Sequence, residues 1–291
     1  MASGAYAKIK FDYDLEDYDL EGVQQMRQIL AIVNQKGGVG KTTTCVNLAA
    51  YLAVRGKKTL LIDLDPQGNA SSGLGFDKKN LDLTTYDVLI NEADIDHVSR
   101  ETQQKNLWCC PANIDLAGAE VELVDVESRE YRLKFAIQSL SRSYDFILMD
   151  CPPSLGYLTL NALVAANGCL VPVQGEYYAL EGLTHLMETI NLVKQELNTS
   201  LEIFGVVMTM FDARTQLANQ VQQEVQQYFG DRLFKTFIPR NVRLSEAPSY
   251  GQSINLYDKR SKGAEAYLSL AKEVIKRSKN QSNQLKARIQ K

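Results

Sequence analysis

The chain is poor in the residues that mark several common functional classes. One tryptophan and two histidines stand among 291 residues. The five cysteines, Cys45, Cys109, Cys110, Cys151 and Cys169, form no C-x-x-C pair, and only His97 and His185 could supplement them. That supply argues against a structural zinc site. An odd cysteine count without framework spacing also argues against a secreted disulfide scaffold, and points to reduced, mostly buried thiols in a cytoplasmic protein. No stretch reaches the roughly 18 apolar residues of a membrane span, and residues 1–27 lack a signal-peptide core. The net charge of −3 lacks the excess of a general nucleic-acid binder. Any DNA contact has to come from a local patch.

What the chain does have is alternation. Apolar runs at 28–33, 59–63, 107–110, 145–149, 169–173, 203–209 and 234–238 read as strands. Helical spacing fills 42–55, 115–140, 156–166, 180–197, 214–229 and 261–278. This pattern predicts an α/β fold, a doubly wound, mostly parallel sheet with helices on both faces. Residues 1–27 read as a flexible acidic extension, carrying Asp12, Asp14, Glu16, Asp17, Asp19 and Glu21 against Lys8 and Lys10. Residues 28–278 read as one domain, and 279–291 as a basic polar tail that frays.

The first strand runs into Lys36-Gly37-Gly38-Val39-Gly40-Lys41-Thr42-Thr43, followed by a helical pattern. Strand, glycine loop, Lys-Thr and helix form the layout of a phosphate-binding P-loop. Backbone N–H groups from Gly37 to Thr43 can curl around phosphate oxygens, and the helix start adds partial positive charge. Lys41 is spaced to reach the β- and γ-phosphates, and the Thr42 hydroxyl to ligate Mg²⁺. The strict pattern needs glycine at position 35, where Gln35 stands, and a second lysine, Lys36, sits beside it.

Two more apolar strands end in acids, at Asp63-Leu64-Asp65-Pro66-Gln67-Gly68-Asn69 and at Asp150-Cys151-Pro152-Pro153-Ser154. An acid at such a strand end sits near Mg²⁺, so Asp150 joins Thr42 in the candidate metal set. Asp65 can orient an attacking water or add to the metal shell. An acid that only forms a turn would look the same.

These segments together resemble the ParA/Soj ATPases of the deviant Walker A (MinD/ParA) group, from about residue 28 to 277. The resemblance continues through 176–182, Phe211-Asp212-Ala213-Arg214 and 238–248. It implies an ATP- and Mg²⁺-dependent homodimer in which Lys36 reaches the phosphates bound by the partner. Lys36, Lys41 and Asp65 would be the catalytic residues, Asp65 as the water-activating acid and Asp150 as the Mg²⁺-linked one. Pro239, Arg240 and Asn241 would lie near the adenine. Arg214 and Arg243 match the positions at which such a dimer contacts nonspecific double-stranded DNA. A ParB-like centromere-binding protein would stimulate hydrolysis, releasing a nucleoid-associated, cytoplasmic protein that segregates chromosome or plasmid DNA.

Two other readings share the loop. A MinD-like membrane-positioning ATPase needs a terminal amphipathic helix, but residues 279–291 offer only Leu285 and Ile289 as bulky apolar residues. No membrane contact is therefore expected. An iron–sulfur ATPase needs cysteines able to bridge a cluster between subunits, and Cys151 has no suitable partner pair.

Overall fold

The computed structural model describes residues 27–176 and 179–289. The N-terminal acidic segment therefore lies outside the described residues, apart from Arg27. In chain order the first half comprises β1 (Gln28–Ile32), α1 (Lys41–Val54), β2 (Thr59–Asp63), α2 (Asn69–Gly73), α3 (Thr85–Leu89) and α4 (Ile95–Val98). Then come β3 (Arg100–Glu101), β4 (Leu107–Cys110), α5 (Leu116–Glu122), α6 (Arg132–Gln138), β5 (Phe146–Asp150) and α7 (Tyr157–Ala165). The last part holds β6 (Gly168–Gln174), α8 (Ala179–Glu196), β7 (Glu202–Thr209), α9 (Gln216–Phe229), α10 (Val242–Glu246), α11 (Ile254–Tyr257) and α12 (Lys262–Ile289).

The strands form one sheet in the order β3-β4-β2-β5-β1-β6-β7. All neighbours are parallel except the short β3–β4 pair. Alternate residues of each strand feed two apolar clusters, one on each face, as a doubly wound sheet requires. Ala31, Leu60, Ile62, Ile147 and Met149 face the helices α3 to α9. Leu30, Ile32, Leu61 and Leu148 face α1 and α12. Chain order reverses at β1, which lies between β5 and β6, and ligands of such sheets bind beyond the carboxyl ends of strands at that point.

Three expectations fail for identifiable reasons. Residues 234–238 do not form a strand. Phe234 and Ile238 donate to the carbonyls of Val206 and Met208 on β7, both at 2.8 Å. Between them, the Lys235 and Thr236 N–H groups are taken by the Glu273 carboxylate of α12, at 2.9 and 2.8 Å, so the ladder breaks. Phe237 turns aside to pack on Phe211. The helix expected over 115–140 breaks between α5 and α6 into two 3₁₀ turns, with Ser128 left-handed at φ 54°. The buried Asn161 of α7 holds that break, donating to the Arg129 carbonyl at 2.8 Å and accepting Leu133 N–H at 3.1 Å. α12 runs past 278, because Ser278 and Ser282 continue its buried face with small residues that an apolar pattern does not register.

The helix after the glycine loop is fixed by polar contacts as well as by packing. Buried Asn47 donates to the Thr43 carbonyl at 2.8 Å and accepts Ile254 N–H of α11 at 2.7 Å. Thr44 and Tyr267 share a buried hydroxyl contact of 3.1 Å, joining α1 to α12. Replacing Asn47 with Ala orphans a buried N–H and is expected to cost about 1–3 kcal/mol in urea unfolding. The same substitution at exposed Asn80 is expected to change stability by less than about 0.5 kcal/mol.

Candidate nucleotide site

The glycine loop is built from strand ends. After β1, Val33 N–H still pairs with the Leu170 carbonyl of β6 at 3.2 Å. Asn34 then spans two segments, donating to the Pro172 carbonyl at 2.7 Å and accepting Lys36 N–H at 2.9 Å. Gly38 and Gly40 take φ of 76° and 85°, where a side chain would be strained. The Thr209 hydroxyl at the end of β7 donates to the Val39 carbonyl at 2.7 Å, pinning the loop from the other side.

α1 then starts at Lys41 with Gly40 as its N-cap, with no capping side chain and no acid in its first turn. Its unpaired N–H groups and positive dipole end are left for an anion. Lys41 is buried, and its ammonium donates to the Lys36 carbonyl at 3.1 Å. Burial lowers its pKa, against the opposing charges of Asp150 and Asp65.

Beside the loop, β2 and β5 end in register on Asp63 and Asp150, both fully buried. Asp63 is satisfied: its carboxylate accepts Ser71 N–H at 2.8 Å, the Ser71 hydroxyl at 2.7 Å and Asp65 N–H at 3.2 Å. Burial nevertheless raises its pKa to about 6. Asp150 differs, since neither carboxylate oxygen has a partner in hydrogen-bonding geometry. Burial first, and the charge of Asp63 second, push its pKa well above the usual carboxylate range. The nearby Thr42 hydroxyl and Lys41 oppose that shift without cancelling it.

An unpaired buried carboxylate costs several times what an ordinary lost hydrogen bond costs, so its presence beside a phosphate loop fits a cation. Thr42, Asp65 and Asp150 offer only oxygen donors, the chemistry of Mg²⁺. Among the described residues no three His, Cys, Asp or Glu side chains form a complete metal cage. A hard cation here would take its remaining ligands from phosphates and water.

A cavity of about 550 Å³ opens over this floor. Gly37, Gly38, Gly40, Lys41, Thr42 and Thr43 form one wall, with Asp65 and Asn69 beside them. Pro239, Arg240 and Asn241 line the cavity as well, next to the isolated parallel bridge between Phe211 and Pro239. The volume lies within the usual range for small-molecule sites. Val39 is buried in the loop, and Asp150 lies beneath the floor. Three candidates stand outside the walls: Lys36, Arg214 and Arg243. Lys36 pairs with Glu176 at 2.5 Å. Arg214 is held by Asp212 at 2.6 Å, and Arg243 by Glu246 at 2.9 Å and Asp258 at 3.6 Å.

The AAA domain family profile matches residues 14–203. The chain is 59% identical to the sporulation initiation inhibitor protein Soj of Bacillus subtilis, over 86% of this chain and 98% of that protein. It is 54% identical to the chromosome partitioning protein ParA of Myxococcus xanthus, over 86% and 88% of the two chains. The chain belongs to the ParA/Soj family. A solved structure of cobyrinic acid a,c-diamide synthase from Mycobacterium smegmatis, with bound ADP and magnesium, matches with a TM-score of 0.76 at 37% identity. That match covers 86% of this chain and 94% of the other.

Reading along the sequence missed several residues on which this ParA/Soj site depends. Asp63 anchors the Asp65 loop through Ser71, whose hydroxyl also accepts Ala112 N–H at 2.8 Å. Asn34 and Thr209 brace the glycine loop from β6 and β7. Only Asp63 left a trace in the sequence, as a strand-end acid without an assigned role. Because burial raises the Asp150 pKa, the nucleotide-free protein is expected to lose stability as pH rises above about 4, and Asp150→Asn is expected to flatten that loss in urea unfolding across pH. The same variant is expected to lose Mg²⁺-dependent tightening of ADP binding, read by calorimetry with and without the metal.

Proposed function

We propose that this ParA/Soj relative is a Mg²⁺-dependent ATPase whose two protomers close face to face around ATP. The closed pair holds nonspecific double-stranded DNA until hydrolysis reopens it. One observation carries the reading. Lys36 belongs to the phosphate loop, yet it does not line its own cavity, and its ammonium lies on Glu176 instead. A lysine so placed is available to phosphates that another protomer holds, as a cation supplied in trans.

Within one protomer, loop N–H groups and Lys41 hold the phosphates, while Thr42 and Asp150 serve the metal. Mg²⁺, held there by Thr42 and Asp150, would supply the positive charge that offsets charge developing on the γ-phosphoryl group. Asp65, half-buried and lining the cavity, orients the attacking water. Pro239, Arg240 and Asn241 flank the adenine. Loss of the γ-phosphate removes the group that Lys36 grips, and the pair separates.

Arg214 and Arg243 form the DNA contact. They follow Phe211 and Pro239, the two residues of the isolated bridge, so both segments leave from one point beside the cavity. Both side chains are exposed. Exposed ion pairs with neighbouring carboxylates are weak and screened, so DNA phosphates can replace Asp212 and Glu246 as partners. Two arginines per protomer give about four phosphate contacts and a log–log salt slope of roughly −3 to −4. Binding of that size is reversible, which suits release after hydrolysis stimulated by a ParB-like protein.

The decisive measurement is DNA retention with ADP, ATP and slowly hydrolysed ATP. Binding is expected only with the triphosphates, and equal binding with ADP sinks the switch. Asp65→Ala is expected to slow phosphate release about 10²- to 10⁴-fold. In Arg214→Glu and Arg243→Glu, DNA retention should fall while ATP affinity stays at the wild-type value. Unchanged retention in both would remove these residues from the interface.

A further inference from the structure

We infer that Glu176 is a latch on Lys36: it occupies the trans-acting lysine in the separate protomer and sets the threshold at which ATP drives two protomers together. The inference rests on the proposed trans role of Lys36. It goes beyond that role by naming what the lysine must leave.

The geometry of the latch is specific. Lys36 Nζ lies 2.5 Å from Glu176 Oε2, and the two side chains are 33% and 46% exposed. The pair is therefore not part of the core. Both residues hang from one brace, because Asn34 links Lys36 N–H to the Pro172 carbonyl of β6, and Glu176 follows two residues after that strand. The backbone that carries the glutamate is fixed. Gly175 sits so tightly against α9 that an added Cβ would meet Ala218 Cβ at 3.0 Å, and Glu176 N–H is turned back onto the Gln174 carbonyl at 2.8 Å.

The loop also supplies a route by which nucleotide loosens the latch. Lys41 Nζ donates to the Lys36 carbonyl at 3.1 Å. Phosphates arriving in the cavity draw Lys41 toward themselves and take this bond from the backbone of Lys36. The backbone of Lys36 then keeps its Asn34 bond while its ammonium stays on Glu176, and a second protomer's phosphates, with more negative charge than one carboxylate, win the lysine. ADP lacks the γ-phosphate, and in that state the glutamate keeps it.

The test compares wild type, Glu176→Gln, Lys36→Ala and the double variant by sedimentation velocity with slowly hydrolysed ATP and Mg²⁺. An exposed pair shifts an equilibrium about 1.5- to 5-fold, and two latches open per dimer, so Glu176→Gln is expected to pair at a concentration about 2- to 25-fold below wild type. ATP affinity of the dilute monomer and the melting temperature are expected to stay at wild-type values. The gap between Glu176→Gln and wild type should narrow as salt is raised. In the Lys36→Ala background, Glu176→Gln should change nothing.

Glu176→Gln pairing at the same or a higher concentration than wild type overturns the latch while leaving the trans lysine standing. Lys36→Ala pairing as tightly as wild type overturns the trans role, and the latch with it. A gain from Glu176→Gln that persists without Lys36 also overturns the latch, because the glutamate would then act on something else.

Discussion

Two carboxylates buried side by side, at the ends of adjacent strands, are the constraint around which this site is arranged. Parallel pairing of β2 with β5 places Asp63 and Asp150 in register, and burial disfavours charge on both. The chain resolves the conflict asymmetrically. Asp63 receives three hydrogen bonds and becomes structural, whereas Asp150 receives none that closes and is left to a ligand. The bare helix start and the buried Lys41 supply the opposite polarity nearby. A fold that depended only on its own contacts would neutralise these groups with one another. Here they stay separate, at a cost in stability that a bound metal–nucleotide complex can offset.

Around this centre, much of the cavity is built from the ends of different strands. The glycine loop follows β1, the Asp65 loop follows β2, Asp150 closes β5, Thr209 closes β7, and the Pro239 segment pairs beside Phe211. The geometry therefore depends on sheet register more than on any loop's own preference. That dependence explains why small polar groups such as Asn34, Asn47 and Thr209 matter. Each crosses from one element to another and removes a degree of freedom that apolar packing leaves open.

How much could be read in advance follows from the range of each interaction. The glycine loop, Lys41, Thr42 and the strand-end acids are legible because their chemistry is written in consecutive residues. The parallel α/β architecture is legible because strand and helix periods alternate over most of the chain. Residues 234–238 misled because their apolar run is strand-like, while Glu273, distant in sequence, takes the two N–H groups the ladder needs. The stretch after α5 misled because its helical spacing gives no sign that Asn161 anchors a break. Glu176 could be placed on Lys36 only once β6 and the glycine loop were seen to share one brace, since 140 residues separate the two.

The join between Thr44 and Tyr267 has a mechanical consequence. Tyr267 touches the nucleotide cavity near the start of α12, and the helix continues without interruption to Ile289. At 1.5 Å per residue that leaves a rod of roughly 33 Å beyond the tyrosine. Along that rod Glu273 takes the Lys235 and Thr236 N–H groups and Arg277 donates to the Phe204 and Asp231 carbonyls, so the helix is a beam riveted at mid-length that ties the nucleotide cavity to the opposite end of β7.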